Sequence, residues 1–176
     1  MRGIKEDVIE PRSFSDIDLQ DSFFDSLRKS YTGFDDWYMR KINSDEEAFV
    51  SYDDFGRLVG FMFLKAEFDY DATIIPPMSG PRMKIGTFKI EPDHHTGLGR
   101  RFLAIALRLF AKSGVPYVYV TMFDGEGTQS LGILFQQYGF YLHGVKGDSE
   151  LVYRKDRPTV LSGDPYRDYP FFDIKT

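Results

Sequence analysis

A chain of 176 residues, 42 % apolar and 16 % aromatic, has material for one compact domain with an ample core. Its formal charge of −5 argues against a phosphate backbone as main partner, because nucleic-acid affinity rests on Lys and Arg neutralising phosphates. Cysteine is absent, which removes disulfides, thiolate nucleophiles and zinc–cysteine sites, and no apolar run approaches the roughly 20 residues of a membrane span. A soluble, cytoplasmic protein with neither a nucleic-acid nor a membrane partner fits these bounds.

In chain order, "DVIEP" (7–11) predicts a short strand. Ser15 or Asp16 then caps a helix carrying Ile17, Leu19, Phe23, Phe24 and Leu27 near helical spacing and running to about Lys29. Gly33 breaks it, and "FDDWYMRKI" predicts a short aromatic helix. "EAFVSYDDFGRLVGFMFLKAEF" predicts a hairpin turning at Asp54–Gly56. The Pro- and Gly-rich "ATIIPPMSGP" reads as a loop, and "RMKIGTFKI" as a strand in which Gly86 is a candidate bulge.

Leu98, Phe102, Ile105, Ala106, Leu109 and Phe110 recur at intervals of three and four, which predicts an amphipathic helix over Gly97–Lys112, ended by Gly114 and Pro116. "YVYVTM" predicts a buried strand, "GTQSLGILFQQYGF" a helix closed by Gly139, and "FYLHG" with "ELVYRK" a final antiparallel pair. The order is βααβββαβαββ, for an α/β (α+β) domain over 1–155. The tail, 156–176, is proline-interrupted and reads as a linker or a surface strap.

The stretch "HHTGLGRR" (94–101) stands where a strand gives way to a helix. Free backbone N–H groups and the positive dipole end of a helix suit a phosphate, and glycines let it approach the main chain. Gly97 and Gly99 equally suit a simple strand-to-helix turn. Arg100 and Arg101 oppose the dipole in an early helical turn unless an anion is near, or else are solvated. A Walker A loop lacks its Gly-Lys-Ser/Thr here, and a dinucleotide fingerprint lacks its third glycine.

This stretch, His94-His95-Thr96-Gly97-Leu98-Gly99, resembles the Gln/Arg-x-x-Gly-x-Gly/Ala signature of the GNAT (Gcn5-related N-acetyltransferase) family. The likeness extends over about residues 5–155: the opening strand and two helices, the hairpin, and "YVYVTM" followed by a helix ending in Gly-Phe. The resemblance implies a mixed, twisted sheet splayed at its fourth and fifth strands and flanked by about four helices. It implies acetyl-CoA as acyl donor, with its pyrophosphate on the main chain of His94 to Arg101. The strand from Thr87 through Phe88 and Lys89 to Ile90 would align the donor and polarise its carbonyl.

It also implies direct attack of a primary amine on the thioester, the amine belonging to a small molecule or a peptide. Glu91 and Glu67 are the carboxylates to test as base, against a plain reading as sheet-edge charges. The sequence departs from the pattern where His94 replaces Gln or Arg, and where Thr128 and Phe135 replace the usual Asn and Tyr of the last helix. Tyr138, almost one turn beyond Phe135, is a candidate acid in its place or a packing aromatic. The acceptor would meet Tyr31, Phe34, Trp37 and Tyr38 with Asp35, Asp36, Glu67, Asp69 and Asp71, an aromatic and acidic rim suited to a cationic amine, unless these rings form core. His94, His95 and His143 are the only histidines, too few converging ligands for metal, so none is expected. A homodimer is the assembly to test, and an acyl-CoA-binding or interaction module without catalysis is the competing reading.

Overall fold

The computed structural model describes residues 8–91, 96–123 and 129–172, the side chains of Thr96 and Gln129 excepted. Eight strands follow the hydrogen-bonded order β1-β2-β3-β5-β6-β8-β7-β4. They are β1 (Ile9–Ser13), β2 (Glu47–Tyr52), β3 (Leu58–Glu67), β4 (Ile74–Ile75), β5 (Arg82–Ile90), β6 (Tyr117–Phe123), β7 (Tyr141–Lys146) and β8 (Glu150–Asp156). The helices are α1 (Asp25–Ser30), α2 (Phe34–Asn43), α3 (Thr96–Ser113), α4 (Gln129–Gln137) and α5 (Pro165–Asp168). This is the mixed α/β architecture expected, with β4 and α5 added. Among the described residues no helix is long and apolar enough to cross a membrane.

The chain divides into two compact units, one comprising 1–63 with 87–98 and the other 64–86 with 99–176. In the first unit β2 pairs antiparallel with β1 and β3, Val50 lying opposite Glu10 and Phe61. The turn between β2 and β3 is tied by Asp53, whose carboxylate accepts from the Phe55 and Arg57 N–H groups and from the Arg57 side chain. Gly56 supplies the positive φ of +78° that closes it.

The opening strand lies two residues later than the pattern predicts. The long first helix is also absent: 3-10 turns at Phe14–Asp16 and Ser22–Phe24 precede a six-residue α1. The cause is local, because Asp18 and Asp21 accept from the N–H groups two residues on, Gln20 and Phe23, and so offer the backbone an alternative to helical bonding. The apolar residues still go inward. Phe14 is fully buried, with Tyr38, Phe61, Phe63 and Trp37 edge-on to it at ring separations of 4.9–5.8 Å. The Tyr38 hydroxyl donates to the carbonyls of Phe14 (3.0 Å) and Ile17 (3.3 Å), satisfying main-chain groups that a helix would have used.

In the second unit β6 is buried along almost its whole length, pairing parallel with β5 at Met83–Ile85 and antiparallel with β8. The segment predicted as a plain loop contains β4, which pairs antiparallel with β7. Gly144 admits it: a Cβ there would stand 1.9 Å from the Ile75 carbonyl oxygen. Beside it the β7–β8 register slips, and His143 Nε2–H donates to the Pro76 carbonyl at 2.8 Å. Ile74 and Met78 pack with Tyr117, Tyr119 and Val152. β5, by contrast, is continuous through Gly86.

The tail is strapped to its own unit. Arg157 donates to the carbonyls of Phe110, Ala111 and Val115, and Asp168 accepts from the Ser162 N–H and hydroxyl and the Gly163 N–H. Lys155, 2 % exposed, spends its three donors on the carbonyls of Tyr138 (2.6 Å), Arg167 (2.9 Å) and Tyr169 (2.8 Å). Lys155→Met keeps the stem but leaves those carbonyls unpaired, so denaturant titration should show a loss of about 3–5 kcal/mol, and limited proteolysis should cut first in 157–172. Unchanged stability would mean that the tail is held by its aromatic contacts alone.

Candidate functional site

β5 ends at Ile90 and α3 spans Thr96–Ser113, close to the helix predicted over Gly97–Lys112. Its first turn carries no acidic residue. Gly97 is exposed, and a Cβ built on it would meet nothing within 4 Å. The glycine is therefore not demanded by crowding or by a positive φ; it leaves open space at the N-terminal end of a helix. His94, His95 and Thr128 lie outside the described residues, as does the Thr96 side chain.

In the first unit, Lys89 turns its side chain away from the main-chain groups of Thr87–Ile90. Its amine donates to the Phe23 carbonyl, stands 4.4 Å from the Phe23 ring centre and lies 3.7 Å from Glu91. Burial pulls the amine below the usual lysine range, with Glu91 pulling the other way. Glu91 follows β5, donates its own N–H to the Val59 carbonyl, and keeps a side chain 35 % exposed. It lines a cavity of about 220 Å³ with Asp21, Ser22, Asp53 and Arg57.

The proposed aromatic rim is largely core. Phe34 and Tyr38 are 5 % and 0 % exposed, and Trp37 packs edge-on against Phe14 and Phe63. Tyr31 also packs against this cluster, half-buried. Desolvation raises the Tyr38 phenol well above its ordinary range, and its hydroxyl is committed to carbonyls. Asp35 is paired with Arg28 at 2.8 Å. A helix this short must bury one face, and its aromatics are that face.

In the second unit, Glu67 is held by partners: the Tyr119 hydroxyl donates to it, Arg82 Nε is 3.3 Å away and Lys65 Nζ 3.7 Å. Burial and the adjacent Glu67 carboxylate raise the Tyr119 phenol above its ordinary range. Arg100 is occupied too. Its guanidinium donates to the Gln137 side chain (2.7 Å) and lies 5.9 and 5.6 Å from the rings of Tyr138 and Tyr166. Among the described residues no such contact holds Arg101, which is half-buried. Phe135 is fully buried, edge-on to Phe140 at 4.9 Å. Tyr138, 7 % exposed, packs edge-on to Tyr166 and Tyr169 of the tail at 5.7 and 6.0 Å.

Among the described residues, Arg101 has no hydrogen bond or ion pair and Glu91 keeps a partly exposed side chain with Lys89 at 3.7 Å, while Arg100, Glu67, Phe34 and Tyr38 are spent on packing or ion pairs. Sequence reasoning did not pick out Arg82, Tyr119 or Lys84. Their signal is alternation: Arg82 and Lys84, two residues apart in the predicted strand, place two cations on one face of it. Among the described residues no group of three or more His, Asp or Glu side chains is placed to hold a metal ion.

No protein-family model matches the chain, and no curated protein matches it in sequence. Solved structures do. An N-acetyltransferase from Staphylococcus aureus Mu50 is 13 % identical with a TM-score of 0.60, over 86 % of this chain and 99 % of that one. A GNAT family acetyltransferase from Elizabethkingia anophelis, solved with acetyl-CoA bound, is 12 % identical with a TM-score of 0.57, over 85 % and 97 %. The PaiA N-acetyltransferase from Thermoplasma acidophilum, in complex with coenzyme A, is 18 % identical with a TM-score of 0.55, over 85 % and 99 %. At such identities the likeness is one of fold: the chain has the fold of the GNAT acetyltransferases.

Proposed function

We propose that the chain is an acetyl-CoA-dependent N-acetyltransferase that acts directly on a primary amine. The observation that supports this best is the start of α3, where an exposed glycine leaves open space at a helix N-terminus with no acid in the first turn. Solved proteins of the same fold carry acetyl-CoA or coenzyme A, which fits this reading. Such a donor supplies an activated acetyl thioester. The main chain at Gly97, Leu98 and Gly99 would hold its pyrophosphate, with Arg101 as a nearby cation to assist. Main-chain groups of Thr87–Ile90 would position and polarise the acetyl carbonyl, a contribution of alignment and electrostatics rather than side-chain chemistry.

Glu91 is the proposed proton acceptor for the incoming amine. It follows the aligning stretch directly and is 35 % exposed on a cavity with Lys89 at 3.7 Å, whereas Glu67 is 15 % exposed and has two cations and a hydroxyl at its oxygens. Tyr138 is assigned to packing, since its ring is enclosed by Tyr166, Tyr169 and Arg100. One observation favours a module that binds acyl-CoA without turnover: Phe135, buried against Phe140, carries no hydroxyl for the departing thiol.

Release of free thiol from acetyl-CoA across a panel of amines separates the two readings. Turnover with any amine above the water background supports the enzyme; saturable binding with no turnover supports the module. Gly97→Val should leave the fold intact, because the added atoms meet open space, yet weaken coenzyme A binding in calorimetry by about 10-fold or more through lost main-chain contacts to phosphate. Equal affinity in the folded variant removes this site. On a working amine, Glu91→Gln should lower turnover by about 10²–10⁴-fold with coenzyme A affinity little changed, while Tyr138→Phe should leave turnover nearly unaltered. The reverse pattern would make Tyr138 the acid and Glu91 a surface charge.

A further inference from the structure

Three separate devices fix α5, a helix of four residues that is too short to persist alone. Asp164 accepts from the Tyr166 N–H at 2.9 Å; the Asp168 carboxylate gathers Ser162 and Gly163; and Lys155 donates to the carbonyls of Arg167 and Tyr169. Docking of the tail does not require all of this, because Phe171 already packs edge-on to Phe110 at 5.8 Å and Arg157 already donates to three carbonyls. What the extra bonds hold in place is the residue between them, Tyr166. Yet Tyr166 is 47 % exposed. Its ring meets Tyr138 edge-on at 5.7 Å and has the Arg100 guanidinium 5.6 Å from its centre.

Arg100 is fixed in place without being neutralised. Its guanidinium donates to the Gln137 side chain at 2.7 Å and lies 5.9 Å from the Tyr138 ring, and among the described residues it forms no ion pair. It follows Thr96 by four residues, near the end of α3 at which the helix dipole disfavours a cation. Arg100, Gln137, Tyr138 and Tyr166 all belong to the second unit. An immobilised ring that is half open to solvent, beside a guanidinium without a carboxylate, suits a flat heterocycle that carries an anion.

We propose that Tyr166 and Arg100 form a platform for the adenine nucleotide of the acyl donor, the base stacking on the tyrosine ring and the 3′-phosphate meeting the guanidinium. That the occupant is coenzyme A rests on the acetyltransferase reading; a platform for a purine nucleotide does not. One ring and one cation cover a base and a phosphate, whereas a protein partner needs roughly 800 Å² on each side. Arg100 also follows Gly99 directly in α3, so a pyrophosphate held on the main chain of Gly97–Gly99 leaves the nucleotide end of the same molecule beside the Arg100 side chain. The tail is then part of the donor site, and Lys155 and Asp168 act as positioning residues for Tyr166.

The test uses the full chain labelled with 3-fluorotyrosine, the Tyr166 resonance being assigned by its loss in Tyr166→Phe. Adenosine 3′,5′-bisphosphate, the nucleotide half of the coenzyme, should move that resonance saturably, and pantetheine should leave it in place. In calorimetry Tyr166→Ala should weaken the bisphosphate and coenzyme A alike by about 5–100-fold, while Tyr166→Phe, which keeps the ring, should bind as the parent does. Arg100→Gln should weaken coenzyme A by about 10-fold or more, but hardly affect dephospho-coenzyme A, which lacks the 3′-phosphate. Nucleotide binding at Tyr166 with no turnover on any amine supports the platform and counts against acyl transfer. A stronger response to ATP than to the bisphosphate overturns the assignment to the coenzyme. A Tyr166 resonance that ignores the bisphosphate, or an equal loss of pantetheine binding in Tyr166→Ala, overturns the platform and leaves Tyr166 a packing residue of the tail.

Discussion

β5 and β6 run parallel, and parallel neighbours cannot be joined by a tight turn; the chain must leave the sheet and return by a crossover. α3 is that crossover. Its N-terminus therefore has to follow directly on the end of β5, and the unpaired N–H groups that every helix carries are delivered to that place by topology rather than by any special motif. Glycine then decides what the place is used for. At Gly97 neither sterics nor φ requires the residue, so the open space there serves something other than the chain's own packing.

Desolvation is handled in three ways. In the first unit the phenol of Tyr38 is buried and remains neutral, its hydroxyl feeding two carbonyls of a non-helical segment. In the second unit Lys155 is buried as a donor hub, replacing water for carbonyls from three separate residues. Arg82 and Glu67 are buried as a pair with Tyr119 as third member.

The hairpin, β5, α3 and β6 were legible because apolar period, β-branched content and a terminating glycine agree in each. The first helix was not, since its apolar spacing is helical while Asp18 and Asp21 favour turns, and the local hydrogen bonds win. β4 was hidden by its length of two residues and by dependence on a glycine some seventy positions away. At the candidate site, Gly97 and Glu91 are proposed from their position in the chain alone. Arg100 could not, because its partners come from α4 and from a tail with no period of its own. The aromatics of α2 look the same in sequence whether they face solvent or core; only the burial of Phe34 and Tyr38 separates the two.

The close approach of the Ile75 main chain to Gly144 links two distant stretches of chain, so that position 144 does not tolerate a side chain while β4 is in place. Any side chain at 144 would have to evict β4, and without β4 the glycine has no task there. In relatives that drift from this sequence, a glycine at the β7 position should therefore travel with the β3–β5 excursion, kept together or lost together. The pair is a marker of descent that local similarity around either residue would not reveal.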